Sequence, residues 1–258
     1  RSYLGLGRTT FAISAAAPIS AELLGFMRGI GVNIREAWGM SETSGVGTIQ
    51  RSWGQCNGRI GFPVSGVRTK IAEDGEVLFS GGTIFKGYYK NPKATAETLR
   101  NGWLHTGDLG VLCDGQLHIT GRKKEILVTA GGKNVAPAVL EDRLRAHALV
   151  SQALVVGDRQ PFIAALVTID PESFPLWATA RGKSGEVADL VDDPDLREEI
   201  QRAVDEANAA VSKAESIRKF QVLADDWTEE GGQLTPSLKL KRNVVMREWK
   251  DEIARLYL

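Results

Sequence analysis

The chain has 258 residues, is 43% hydrophobic and 25% charged, and carries 32 Lys+Arg against 32 Asp+Glu. These are globular proportions, enough for one large domain or two smaller ones with cores of their own; zero net charge gives no global basic field for nucleic acid and no acidic tail. Cys56 and Cys113 are too few for a disulfide framework and suit a reducing, cytoplasmic setting, and no apolar run reaches ~18 residues, so no transmembrane helix is expected.

The N-terminal RSYLGLGRTTFAIS lacks a signal-peptide pattern. It also lacks an initiator Met and starts close to a strand, which is read as an internal cut; the chain is expected to be a fragment of a longer protein. Residues 9–14 predict a short strand, followed by a helix over Ala21–Gly29 with Ser20 as N-cap and Glu22 in its first turn. Residues 32–38 predict a strand ending in the turn-rich GMSETSGVG. GVRTKIAEDGEVLFSGG predicts a hairpin turning at Glu73-Asp74-Gly75, residues 93–100 a short helix, and GVLCDGQLHIT a hairpin around Asp114-Gly115. After Arg122 the texture changes: a helix over 137–147, two strands around a Gly157–Pro161 turn, and helices at about 171–182, 195–212 and 238–256. The shift from β-rich to mixed texture sets an expected domain boundary near Arg122–Lys124. The predicted class is α+β, with 1–123 as the first domain and 124–258 as the second.

Four stretches carry chemistry. In EAWGMSETSG (Glu36–Gly45), Trp38 offers a face for a flat base, Gly39 lets backbone approach closely, Ser41 can donate to a phosphate oxygen, and Glu42 offers hard oxygens to Mg2+. The plain alternative is a turn with Trp38 in the core. In GWLHTGDLG, Asp108 follows a glycine at the end of an extended segment, where a carboxylate can accept both vicinal hydroxyls of a ribose. In GRKKEILVTAGGKNVAP, Arg122 could reach the same ribose or a phosphate; a solvated basic turn is the alternative. In LTPSLKLKRN, a lysine could stabilise charge developing on a phosphate; the alternative is an amphipathic helix capped by Ser237. GKS at 182–184 and GGKN at 131–134 lack the upstream glycine of a P-loop, and His105, His118 and His147 have no zinc-ligand spacing.

Taken in order, these motifs resemble the adenylate-forming superfamily of acyl-CoA synthetases, luciferases and peptide-synthetase adenylation domains. AWGMSETSG is similar to its adenine motif, NGWLHTGDLGVLCDGQLHITGRKKE to the long signature of fatty acyl-CoA synthetases, PSLKLKR to its C-terminal lysine motif, and SAAAPIS to its Ser-Gly-Gly-Ala-Pro segment. The likeness covers essentially the whole chain, with long-chain fatty acyl-CoA synthetases of bacterial type as the subgroup. It implies a β-rich remainder of the large adenylating domain, without its phosphate loop, followed by a small mobile α+β lid. It further implies that Trp38 packs near adenine beside Ala16 and Ala17, that Ser41 contacts phosphate, and that Glu42 binds Mg2+. Asp108 and Arg122 would hold the ribose, and Lys239 would act in adenylation, with Lys241 as fallback because Leu238 stands where the pattern has Gly. Lys124 falls on the hinge position, and the Gly131-Gly132 loop would meet coenzyme A.

The implied reaction joins a fatty acid to AMP from ATP, then passes the acyl group to coenzyme A. The fragment alone is expected to be inactive. Ala15 and Ala16 replace two glycines, and Gly121 replaces a frequent Asp. Alternatives are an enzyme that stops at acyl-AMP or loads a carrier protein, and a non-catalytic nucleotide-binding module. No nucleic-acid partner is expected; a neutral chain permits peripheral membrane contact.

Overall fold

The structure is a computed structural model that describes residues 2–16, 19, 21–51 and 59–258, with backbone alone at 21 and 22. Ala17, Ser20 and Cys56 lie outside the described residues. The chain divides into two compact units, Arg1–Lys124 and Glu125–Leu258. Helices and sheets are mixed in an α+β arrangement.

The first unit opens with β1 (Ala12–Ser14), α1 (Ala21–Gly29) and β2 (Ile34–Trp38). β1 and β2 pair in parallel, with α1 as the crossover. β3 (Thr48–Ile49) and β4 (Phe62–Pro63) extend that sheet in antiparallel fashion. A second sheet is built from β5 (Val67–Ile71) and β6 (Glu76–Gly81). It continues, after α2 (Pro92–Thr98), with β7 (Leu99–Arg100), β8 (Trp103–Cys113) and β9 (Gln116–Arg122). The predicted hairpins are its two tight turns, and both Asp114 and Gly115 have positive φ, as a type I′ turn demands. α2 starts one residue earlier than the sequence suggests because Pro92 occupies its first turn and Asn91 caps it, accepting from Ala94 N–H at 3.1 Å. It ends early because Leu99 turns into β7. The core gathers Val77, Phe79, Leu104 and Leu117, with Trp38 and Met40 packed against it.

The second unit begins with a small hairpin of β10 (Leu127–Val128) and β11 (Asn134–Val135), then α3 (Pro137–Leu144). Its sheet consists of β12 (Val150–Val156), β13 (Ile163–Ile169) and, after α4 (Ser173–Ala180), α5 (Val187–Leu190) and α6 (Pro194–Asn208), of β14 (Ile217–Val222). Side chains alternate between two cores. Ala153, Val155, Ala165 and Val167 face a layer containing Leu140, Leu144, Leu196 and Ile200. Leu154, Val156, Ala164 and Leu166 face one with Trp227, Val245 and Leu256. Covered on both faces, the middle strand reads as the near-continuous apolar run IAALVTI, interrupted by Thr168, whose hydroxyl donates to Asp226.

The predicted helix over 238–256 is corrected. Residues 234–241 form a hairpin-like loop closed by a Leu234–Leu240 bridge, and helix starts only at α7 (Arg242–Glu248), followed after Trp249 by α8 (Lys250–Arg255). β14 was not foreseen, since IRKFQV alternates poorly and puts Arg218 and Lys219 in the solvent.

Candidate active site

β2 ends at Trp38, and the following loop closes on itself. Gly47 N–H donates to Trp38 C=O at 2.8 Å, and Thr43 and Gly45 N–H donate to Met40 C=O. The fully buried Thr43 hydroxyl accepts from Met40 N–H at 3.0 Å and donates to Met40 C=O at 2.9 Å. A Cβ on Gly39 would lie 1.9 Å from Gly45 O. Glycine is therefore required there by the loop's own closure, a reason the sequence did not reveal. The result is one 3-10 turn, Ser41–Thr43, that leaves Ser41 exposed and Glu42 half-buried.

Glu42 is held from a distance in sequence. Its Oε1 accepts from the Tyr88 hydroxyl at 2.6 Å, and its backbone C=O accepts from Phe85 N–H at 2.9 Å. That hydrogen bond to the carboxylate pushes the Tyr88 hydroxyl pKa up. Tyr88 was missed; its signal in the sequence is only the glycine-aromatic pair of FKGYYKNP.

Asp108 is buried and joins two of the motifs to its own. Its Oδ2 accepts from the Trp38 indole N–H at 3.1 Å, and its Oδ1 lies 3.2 Å from Arg122 Nε. β8 and β9 put Asp108 and Arg122 opposite each other. Trp38 is at once a core residue: its ring stacks on Phe79 with centroids 5.2 Å apart and planes at 17°, and Gly47 packs on it. Of the basic run, Arg122 goes to Asp108, Lys123 to Asp74 and Glu76, and Lys124 is exposed. Ala16 is exposed with φ of 73°.

Two expected site elements belong to the second unit. Gly131 and Gly132 form the exposed tip between β10 and β11. There Gly132, at φ 76°, donates to Thr129 C=O at 2.8 Å, and Lys133 N–H donates to the Thr129 hydroxyl. Lys239 lies in the loop before α7 and not in a helix; its N–H donates to the Thr235 hydroxyl at 3.0 Å, and its C=O accepts from Thr235 N–H. Leu240 turns inward, so Lys239 and Lys241 are both exposed. Leu238, at φ 58°, occupies a backbone conformation suited to glycine. Ser237 caps nothing; its hydroxyl meets that of Thr235.

No three acidic, His or Cys side chains cluster as a metal cage among the described residues. Mg2+ carried by nucleotide phosphates takes only one or two protein carboxylates, and the half-buried Glu42 is a carboxylate of that kind on the 3-10 turn.

Residues 124–258 match the family model described as "AMP-binding enzyme C-terminal domain", and residues 2–89 match "AMP-binding enzyme". The chain belongs to the AMP-binding enzyme family. Within it, the chain is 54% identical over its full length to the long-chain-fatty-acid–CoA ligase FadD15 of Mycobacterium bovis, of which it covers 43%. It is 37% identical over its full length to the long-chain-fatty-acid–CoA ligase ACSBG2 of Gallus gallus, covering 37% of that protein. The chain thus spans less than half the length of these relatives. Among solved structures, the carboxylate reductase adenylation domain of Mycobacterium chelonae aligns with a TM-score of 0.74 and 26% identity. That alignment covers 95% of this chain and 38% of that one. No described helix is long and apolar enough to cross a membrane.

Proposed function

We propose that this chain is the C-terminal portion of a long-chain fatty acid–CoA ligase. The parent converts a fatty acid and ATP to acyl-AMP and pyrophosphate, then transfers the acyl group to coenzyme A and releases AMP. The observation that carries the reading is the junction of Trp38, Asp108 and Arg122. Three stretches far apart in sequence meet on one buried carboxylate.

In this reading residues 1–123 complete the large nucleotide- and acyl-binding domain, and 124–258 form the lid that turns about Lys124. Trp38, Gly39, Ala16 and Ala17 border the adenine. Asp108, the carboxylate on which Trp38 and Arg122 meet, accepts the ribose hydroxyls. Ser41 donates to a phosphate oxygen. Glu42 would hold a share of Mg2+, which would supply charge neutralisation on the phosphates. Lys239 stabilises negative charge during adenylation. The Gly131-Gly132 tip, free of side chains, admits the pantetheine arm of coenzyme A. The setting is cytoplasmic, and a chain of zero net charge permits contact at a membrane surface.

The test is ATP–pyrophosphate exchange with carboxylates from acetate to long-chain fatty acids. It compares the longer parent, its Lys239→Ala variant and the 258-residue chain. Exchange that rises with acyl length in the parent, and is lost in the variant and in the chain alone, is expected. No exchange with any carboxylate would overturn the reading. Exchange without CoA-dependent AMP release would reduce the parent to an acyl-AMP-forming enzyme.

A further inference from the structure

Asp108 does not sit on regular strand. Between the pairs Glu76–Leu109 and Leu78–His105, β6 advances two residues while β8 advances four. The surplus, Thr106 and Gly107, bulges out, with Gly107 at φ 74°. Bulges of this kind re-aim the next side chain and leave backbone groups without ladder partners. Here side chains take up those groups. The Thr106 hydroxyl donates to Val77 C=O at 2.7 Å and accepts from Asp108 N–H at 3.1 Å. Gly107 N–H donates to Glu76 Oε1 at 2.9 Å.

Glu76 is nearly fully buried. Its second oxygen is shared by His105 Nδ1 at 3.0 Å and Lys123 Nζ at 3.2 Å, and Lys123 also reaches Asp74. Burial pushes the Glu76 carboxyl up, but the bonds from His105, Gly107 and Lys123 outweigh it and hold the carboxyl below its ordinary value. A buried carboxylate with this many donors is costly to build for structure alone. One of its oxygens fixes the residue before Asp108, and the other fixes the residue after Arg122.

We infer that Glu76 is a positioning residue for nucleotide recognition: through Gly107 and Lys123 it sets the aim of Asp108 and Arg122 together, and so governs discrimination of the ribose hydroxyls. The inference rests on the assignment of Asp108 to the ribose. Loss of the charge in Glu76→Gln weakens the hold of Lys123 and His105 but keeps the shape and an acceptor for Gly107 N–H. Asp108 then loses its aim without losing its carboxylate.

The experiment measures kcat/KM for ATP and for 2′-deoxy-ATP in the full-length parent, and in its Asp108→Asn, Glu76→Gln and Lys123→Arg variants. Circular dichroism and thermal melts serve as the check on folding. The preference for ATP over 2′-deoxy-ATP is expected to fall about tenfold in Glu76→Gln, the worth of one charge-assisted hydrogen bond. It is expected to be largely kept in Lys123→Arg. A general structural role would lower both nucleotides equally and leave the ratio unchanged, which would overturn the inference. If Asp108→Asn itself leaves the ratio unchanged, the ribose assignment falls, and the inference with it. A Glu76→Gln variant that melts early is replaced by Glu76→Asp, read by the same ratio.

Discussion

Leu238 and Ala16 show what a single backbone angle can cost. Both are non-glycine residues in the left-handed region, and both stand where the family resemblance puts glycine. That conformation costs an L-residue roughly 1 kcal/mol. Leu238 is also two-thirds exposed, with little packing to offset the cost. Leu238→Gly is therefore expected to raise the chain's stability by up to about 1 kcal/mol, less the entropy that glycine adds to the unfolded chain. Urea unfolding would read it. Gly39 is the converse case. Gly39→Ala forces its methyl into the Gly45 carbonyl and is expected to destabilise by about 2–3 kcal/mol, as overpacking does. The variant chain should show this as a lowered urea midpoint. The departures from glycine at 16 and 238 were visible in the sequence. That Gly39 is required by the closure of the loop was not, because Gly45, its neighbour in space, is six positions on.

Between α3, β12 and α7 one ion pair ties elements together. Arg242, at the start of α7, meets Glu141 of α3 and donates to Val155 C=O of β12 at 3.0 Å, while Glu141 accepts from Val155 N–H at 2.7 Å. Burial pushes the Glu141 carboxyl up, and the Arg242 charge pulls the other way. Removing one partner leaves a buried charge alone, so Arg242→Ala is expected to cost about 3 kcal/mol or more. Lysine should not rescue it, since it lacks the planar fork that reaches both acceptors. Thermal melts of the two variants would check this. In the first unit the Asp74–Glu76–Lys123 cluster makes a pH prediction. Both carboxyls are held below their ordinary values of 3.8 and 4.5. Their contribution is thus present above those values and lost as pH falls through the lowered folded ones. The Lys123 ammonium is held above 10.5, mainly by Asp74, so its share persists until pH rises past that point. Urea midpoints taken from pH 7 down to pH 3 should drop less in Glu76→Gln than in the unaltered chain. The turns at Gly75 and Asp114-Gly115 were legible because hairpin chemistry is local. Glu76 was not: nothing in GEVLFSG says that its carboxylate turns inward to a bulge about thirty residues on.

For the whole molecule, four ordered motifs made the family readable before any coordinates, and the α+β class followed from the change of texture past Arg122. What the sequence could not supply was convergence. Trp38, Asp108 and Arg122 each looked as much like a turn or core residue as a ligand contact until one carboxylate joined them. The start of the last helix was also misplaced, because the Thr-Pro-Ser turn with Ser237 looks like a helix cap, while the Leu234–Leu240 bridge claims the residues that follow it. At this scale the expectation is an all-or-none one. The 258-residue chain should give no ATP–pyrophosphate exchange by itself, and should not restore it to a parent carrying Lys239→Ala unless the two associate. Exchange measured on the chain and on the mixture would decide both points.

The anchoring of Arg242 has a mechanical meaning. Lys239 stands three residues ahead of it, on a short bridged loop whose other end is fixed by Leu234 in the core. Such a loop is a lever arm bolted at both ends. Through those bolts, movement of the second unit as a body carries the Lys239 ammonium with it. A fluorescent label at the exposed Ser237 would then act as a pointer for that unit, and its signal should change in one concerted step when substrates bind.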